Sequence, residues 1–417
     1  MKFHNGQSGS LFPHLSLPGK KWFRTGHPWL YRTHLASETS GPTQAGFVWT
    51  EEGAYAFSPL SEIRLRRAEA LDGLRPTSRW SDAESAPIPT DASEGLKSAL
   101  RDLWNLKRRL VDGDECFRWI FSEADGWPGL VVDVFGDQVV AQIQTAPMES
   151  SWTLLAKVFV EAASEALGRP ATLRELRATP ARKREGLDVV PLPAAQEGEG
   201  EWYRWNGLDW WFHPGRGQKT GAYLDQRSNH LAAAEWARRF GARAAWDVFS
   251  FEGGFGLHLA KAGLKVECVD QSSSALGVLG KNAERNGLAP LVTRTEANAF
   301  DWLKARSEAR AKTDLVVLDP PSFVRNRKDK ESALRGFKEI NLRGFQALKP
   351  GGILVSCSCS HHIRPEDYAQ MLAAAAHDAK RRCRVLEVRG PSPDHSPRLG
   401  FAESEYLQGW YVEVQSG

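Results

Sequence analysis

Two stretches of the chain end apolar runs in side chains that could act on an aromatic ring. Leu315-Val316-Val317-Leu318 leads into Asp319-Pro320-Pro321-Ser322-Phe323, and Ile353-Leu354-Val355 leads into Ser356-Cys357-Ser358-Cys359-Ser360-His361-His362. Consecutive prolines force an extended, stiff turn and fix where Asp319 points. A carboxylate held there suits a hydrogen bond to a ring nitrogen or an amine, although a capping aspartate before a stiff loop is the plainer alternative. A cysteine thiolate can add to an electrophilic ring carbon. Strand alternation puts Cys357 and Cys359 on one side, so spacing leaves the choice between them open. Cys359, nearer the loop, is the one expected at the surface; Cys357 reads as a small buried hydrophobe. If the two runs are neighbouring strands, Asp319 and a cysteine overhang one pocket. His361 and His362 lack a third ligand, and no metal is expected.

Upstream, Asp247-Val248-Phe249-Ser250 turns through Phe251-Glu252-Gly253-Gly254-Phe255-Gly256. Paired glycines allow a tight turn and close backbone approach to a ligand, or simply a tight connection. The G-x-G-x-x-G phosphate fingerprint is absent, which counts against a dinucleotide. Asp270 ends the next strand about twenty residues on, where a carboxylate can accept both hydroxyls of a ribose. An adenosine-type ligand without a pyrophosphate is indicated, and S-adenosylmethionine fits. Before these elements, residues 215–227 crowd polar side chains into one loop; Lys219 and Arg227 could reach phosphate, or Asp225 could cap an ordinary helix entry.

The elements that must position these residues alternate. Strands are expected at 244–249, 265–270, 291–295, 315–319, 352–357 and 385–388, with helices at 257–262, 274–286, 300–310 and 368–380. Such alternation means βαβ units and a mostly parallel sheet, with ligands beyond the carboxyl ends of its strands. A hairpin over 202–212, turning at Asn206-Gly207, precedes them. Residues 10–70 read as a β-rich module and 76–94 as a linker. A helix follows at 96–110, with apolar positions Leu96, Leu100, Leu103 and Leu106. Strand-like runs within 117–144, a helix at 152–167 and a strand at 173–176 complete a small α+β module, before a second loop at 191–200.

The chain has 417 residues, 41% of them hydrophobic and 25% charged, with a net charge of +3. That length allows two or three cores. So mild a charge neither requires nor repels nucleic acid; the local runs Arg182-Lys183-Arg184 and Arg325 to Lys330 are more suggestive. Five cysteines, an odd number, argue against a disulfide framework. No apolar run is long enough for a membrane helix and no signal peptide is evident, so a cytoplasmic location is expected.

Gly217 to Arg227, Asp247 to Gly256, Leu318 to Phe323 and Ser358 to Ser360 occur in the order and spacing of one family. They resemble the bacterial large-subunit ribosomal RNA cytosine-5 methyltransferases with an N-terminal PUA domain. Gly26-His27-Pro28-Trp29, Ser58-Pro59, Glu123 to Gly126 and Arg182 to Gly186 extend the likeness over nearly the whole chain. The resemblance implies a PUA-like RNA-binding domain over 1–75, a linker and central α+β domain over 76–200, and a class I, Rossmann-like methyltransferase domain with a mostly parallel seven-stranded sheet over 201–417. It implies Cys359 as nucleophile and Asp319 as acid. It implies S-adenosylmethionine held by Asp247, Phe249, Ser250, Phe251, Gly253, Gly254, Asp270, Gln271, Asn298, Asp319, Pro320 and Gln226. Ribosomal RNA would meet Lys219, Thr220, Arg227 and Phe323, and a homodimer is compatible with the family. Asn298 stands where the family usually has an acid, and its amide oxygen is expected to accept from the adenine amine. The competing readings are methylation of an exocyclic amine or of guanine without a cysteine, and a non-catalytic RNA-binding assembly factor.

Overall fold

A computed structural model describes residues 14–36, 44–74, 86–111, 113–192, 200–215, 220–324 and 329–415. The chain divides into two compact units. One holds the residues through Tyr203 with Phe212–Leu224 and Asp394–Ser404; the other holds Arg204–Trp211, Asp225–Pro393 and the residues from Glu405 on.

The first unit begins with α1 (Leu17–Phe23), β1 (Trp29–Tyr31), β2 (Gly46–Thr50), β3 (Gly53–Phe57) and β4 (Ile63–Arg67), whose strands form a sheet in the order β1-β4-β3-β2. Period-two alternation buries both faces. Val48, Tyr55, Phe57 and Leu65 pack with Leu15 and Leu30, while Phe47, Ala54 and Ala56 join a larger core. That core belongs to α2 (Ser93–Leu110), β5 (Cys116–Phe121), β6 (Leu130–Phe135), β7 (Gln138–Ile143), α3 (Ala146–Ser150), α4 (Trp152–Leu167) and β8 (Thr172–Leu176). The second sheet runs β5-β6-β7-β8. The buried stripe of α2 is Leu96, Leu100, Trp104 and Lys107; Leu103 packs partly buried against it, whereas Leu106 is 43% exposed. A spacing of four, four and three keeps one helical face inward.

Lys107 carries its charge into the interior. Its ammonium donates to the Asp394 carbonyl and to the Asp125 carboxylate, each at 2.7 Å. The Arg118 backbone N–H donates to Asp394 Oδ2 at 2.7 Å, and its guanidinium grips Asp133 at 2.5 and 2.9 Å. Residues 394–404 are thus bound by buried charges to strands and a helix made some 270 residues earlier. His27 reaches Glu403 at 3.1 Å, and Phe401 lies edge-on to His27 and Trp29, so the Gly26-His27-Pro28-Trp29 turn also closes on this segment.

A hairpin of β9 (Glu201–Trp205) and β10 (Leu208–Phe212) follows. Its turn residues Asn206 and Gly207 have φ of 51° and 68°, the pairing an Asn-Gly turn favours. The second unit then comprises α5 (Arg227–Arg239), β11 (Ala244–Val248), α6 (Gly254–Lys261), β12 (Lys265–Asp270), α7 (Ser273–Arg285), β13 (Val292–Glu296), α8 (Ala299–Glu308), β14 (Thr313–Leu318), α9 (Lys330–Ala347), β15 (Leu348–Ser358), α10 (Pro365–Asp378), β16 (Cys383–Arg389) and β17 (Gln408–Val414). Seven strands lie in the order β13-β12-β11-β14-β15-β17-β16, with β17 antiparallel to both neighbours and the first five parallel. Both faces are covered, as a parallel sheet requires. Val316 and Leu318 enter one core, Leu315 and Val317 the other, and Cys357 lies with the second. The order turns back between β11 and β14, which places a ligand crevice beyond their carboxyl ends. Among the described residues no helix is long and apolar enough to cross a membrane.

Candidate active site

The loop from β11 to α6 is strained and tightly braced. Phe249, Phe251 and Gly253 all have positive φ, at 69°, 47° and 94°. For phenylalanine such a backbone costs on the order of 1–3 kcal/mol and persists only where the surroundings impose it. Here β12 imposes it. The Phe249 and Ser250 N–H groups both donate to the Val269 carbonyl at 3.0 Å, and Phe251 N–H donates to Asp270 Oδ2 at 2.9 Å. Asp247 Oδ2 accepts from Gly256 N–H at 2.7 Å, pinning the first turn of α6. A Cβ on Gly254 would lie 2.7 Å from the His230 ring, and one on Gly256 2.4 Å from Cys268 Sγ. The helix therefore starts hard against β12 and α5.

Three carboxylates end adjacent strands: Asp247 in β11, Asp270 in β12 and Asp319 just past β14. Burial pushes the Asp247 carboxyl up to about 7, and the charges of Asp319 and Asp270 add to the rise against the Gly256 hydrogen bond. Desolvation likewise lifts Glu252 to about 8. Behind them, burial depresses His230 well below the usual range and His258 to about 4, leaving both imidazoles neutral. A pocket so charged suits a cationic ligand. The Ser250 and Ser358 hydroxyls are buried without a hydrogen-bond partner among the described residues, as groups awaiting a ligand would be. Asp270 is not a helix cap, since Ser272 caps α7; its two oxygens accept from Phe251 and Ser272 N–H and each retains a lone pair.

The register pairs Leu318 with Ser356, so the chain past β14 and the end of β15 lie side by side. Cys357 is fully buried, and desolvation, with the Asp319 charge adding to it, drives its thiol far up. Cys359 follows the strand and is partly exposed. Gln226 is buried, with its amide on Asp319 Oδ2 at 3.0 Å and on Asn229. Pro320 is buried, Gln271 is exposed at the start of the loop into α7, and Phe323 is half-buried.

Three residues take places other than those read from the sequence. Asn298 caps α8, its oxygen accepting from the Phe300 and Asp301 N–H groups at 3.0 and 3.4 Å, so it presents its NH2 rather than an acceptor. Thr220 is fully buried with its hydroxyl on Asp133, and Arg227 is 3% exposed with its Nε on Ser392 Oγ at 3.1 Å. Neither presents a surface to RNA; Thr220 and Arg227 serve buried hydrogen bonding, a distinction residue type alone does not carry. Lys219 lies outside the described residues. Phe300, 37% exposed and not among the residues expected at the site, links Phe249 to Phe323 through ring contacts at 6.4 and 5.9 Å. Its signal was an aromatic at a helix start beyond a strand end.

The strand order, the reversed β17 and the acidic crevice define a class I S-adenosylmethionine-dependent methyltransferase fold. A family model for RNA cap guanine-N2 methyltransferases matches residues 242–331. The ribosomal RNA large subunit methyltransferase of Deinococcus radiodurans is 31% identical, covering 94% of each chain. Ribosomal RNA large subunit methyltransferase I of Shewanella denitrificans is 31% identical over 93% of this chain and 95% of its own. A solved candidate S-adenosylmethionine-dependent methyltransferase from Streptococcus mutans matches with a TM-score of 0.72 at 14% identity, covering 96% of this chain and 99% of its own. A second candidate methyltransferase, solved with S-adenosylhomocysteine, gives 0.69 at 16%, covering 95% and 98%. The chain belongs to the ribosomal RNA large subunit methyltransferase family.

Proposed function

We propose that the chain methylates carbon-5 of a cytosine in large-subunit ribosomal RNA. The observation that carries this is the pairing of β14 with β15, which sets Asp319 and a partly exposed Cys359 just past the carboxyl ends of neighbouring central strands. S-adenosylmethionine supplies an electrophilic methyl group when bound; Asp270, Ser250 and the start of α6 would hold it, with the acidic crevice offsetting its positive charge.

Cytosine carbon-5 is a poor nucleophile. Addition of the Cys359 thiolate at carbon-6 forms an S–C bond and moves the ring electrons to carbon-5, giving it enamine character. Asp319 stabilises the charge or proton at ring nitrogen-3. After methylation a base removes the carbon-5 proton and the S–C bond breaks, restoring the thiolate and the ring. Cys357 is unsuited, because a thiol so deeply buried stays protonated. The N-terminal sheet would act as a PUA-like RNA-binding module ahead of the central domain, Phe323 and Lys219 would contact the RNA, and the site of action would be the cytoplasm.

The guanine-N2 family match favours a second reading, transfer to an exocyclic amine. That match ends at residue 331, before β15, and so takes in the cofactor strands and the Asp319 turn but not Cys359. Ribosomal RNA carrying 5-fluorocytosine separates the two. A covalent adduct mapping to Cys359, lost in Cys359→Ala, is expected. Methylation without an adduct, surviving Cys359→Ala, would assign the chemistry to an amine. Failure to bind S-adenosylhomocysteine by calorimetry would leave only the assembly-factor reading.

A further inference from the structure

Asp319 is held by a chain of polar groups whose direction is set at its far end. Arg389, the last residue of β16, donates from Nε to Asn229 Oδ1 at 3.3 Å. Asn229 Nδ2 donates to the Gly390 carbonyl at 3.2 Å and to Gln226 Oε1 at 2.6 Å. Gln226 Nε2 then donates to Asp319 Oδ2 at 3.0 Å. An amide seen alone can be turned either way. Here the ends forbid it. A guanidinium can only donate and a carbonyl can only accept, so Asn229 must show its oxygen to Arg389 and its NH2 to Gly390 and Gln226. Gln226 must in turn show its oxygen to Asn229 and its NH2 to Asp319.

The relay is anchored and dry. Asn229 and Gln226 are 0% and 4% exposed. Tyr411 donates its hydroxyl to the Asn229 carbonyl at 2.8 Å. Arg389 is fixed by Glu387 at 2.6 Å, and Glu387 by Trp236 Nε1 at 2.8 Å.

We propose that Gln226 and Asn229 are positioning residues for methyl transfer, a one-way relay that keeps Asp319 Oδ2 an acceptor. This rests on the reading of Asp319 as the base-facing acid. An N–H donated to one oxygen favours the ionised carboxylate and excludes a proton from that oxygen. Among the described residues, titratable groups that feel Asp319 include Asp247 on β11, Cys357 on β15, Tyr368 on α10 and Tyr411 on β17, with Asp270 and Cys359 beside them and Arg389 at the end of the relay. An absolute pH optimum therefore belongs to the cluster, and the difference between variants reports the relay.

Asn229→Asp tests the direction. Its carboxylate still accepts from Arg389 but cannot donate, so Gln226 turns its NH2 toward residue 229 and its oxygen toward Asp319. Single-turnover transfer of labelled methyl to large-subunit ribosomal RNA is followed against pH for wild type, Asn229→Asp and Gln226→Glu. The acid limb is expected to move up by about one pH unit in both variants, with S-adenosylhomocysteine affinity in Asn229→Asp within about threefold of wild type. Limbs that superimpose on wild type after scaling, the outcome of a merely structural role, would overturn the relay. If Asn229→Asp fails to fold by thermal melting, Gln226→Glu decides in the same way. The 5-fluorocytosine adduct of wild type is measured alongside. Shifted limbs without an adduct sink the cytosine reading and keep the relay; an adduct with unshifted limbs sinks the relay alone.

Discussion

At the scale of single residues, the two thiols at the end of β15 and just past it show how burial divides like from like. Cys357 and Cys359 are two positions apart, yet one is sealed in the core with its thiol driven up and the other stands past the strand end. Cys359→Ala is expected to lower methyl transfer to cytosine by at least about a thousandfold, as loss of a covalent nucleophile does, while Cys357→Ala costs stability through a small cavity. Single-turnover rates and melting curves distinguish the two. Asp247 carries a sign that can be worked out. Its folded pKa, raised to about 7 from 3.8, means the native state holds a proton the unfolded chain has lost. Its contribution to stability is thus complete below about pH 4 and gone once the pH passes about 7. Melting temperature should fall across that window in wild type and fall less in Asp247→Asn. A cationic methyl donor reverses the effect, so its affinity should rise between about pH 6 and 8, more steeply in wild type than in Asp247→Asn. Equal slopes by calorimetry would remove Asp247 from the pocket's charge balance. Glu252, lifted to about 8, titrates close by, and Glu252→Gln serves as the control.

At the scale of elements, the cofactor loop depends on α6 starting flush against α5. Gly254→Ala would drive a methyl group to 2.7 Å from the His230 ring, and S-adenosylhomocysteine affinity is expected to drop about tenfold or more. His230→Ala in the same chain should restore part of it. No loss in the single variant, or no rescue in the double, would show that the loop tolerates a displaced helix. The elements of this unit were largely legible, because buried parallel strands read as short apolar runs and the intervening helices as amphipathic ones. The six strands expected from the residues all form, with ends shifted by at most a few positions. β17 escaped notice because it follows a long irregular stretch and pairs antiparallel, outside the strand–helix rhythm. α9 was hidden by the basic run before it, although Ala333, Phe337, Ile340 and Gly344 keep helical spacing. Side-chain roles were less legible than elements. Asn298, Thr220 and Arg227 are polar in type, and only the fold shows that the first caps a helix while the other two turn inward.

At the scale of the molecule, one of the basic runs offers less charge to solvent than its residue types suggest. Arg182, in one of them, is 3% exposed and bound to Glu149 and to the Ile143 and Asp188 carbonyls, so its neighbours Lys183 and Arg184 are the ones left for solvent. The buried charges of the first unit have a different task. Lys107→Met would leave Asp125 without its cation, and a loss of about 3–5 kcal/mol is expected from breaking one side of so dry a pair. Urea unfolding should register it; a change below about 1 kcal/mol would mean that water already reaches the pair.

The segment 394–404 has a further consequence, in the order of events during synthesis. The chain completes most of the first unit, builds nearly all of the second, and only then makes the eleven residues whose Asp394 receives Lys107 and the Arg118 amide. A domain emerging from the ribosome ordinarily folds as soon as it is out. Here Lys107 meets Asp125 early, but its carbonyl partner, and the carboxylate for the Arg118 amide, come only with the last few dozen residues, so a chain cut short near residue 390 is expected to be destabilised in its N-terminal half as well as its catalytic one.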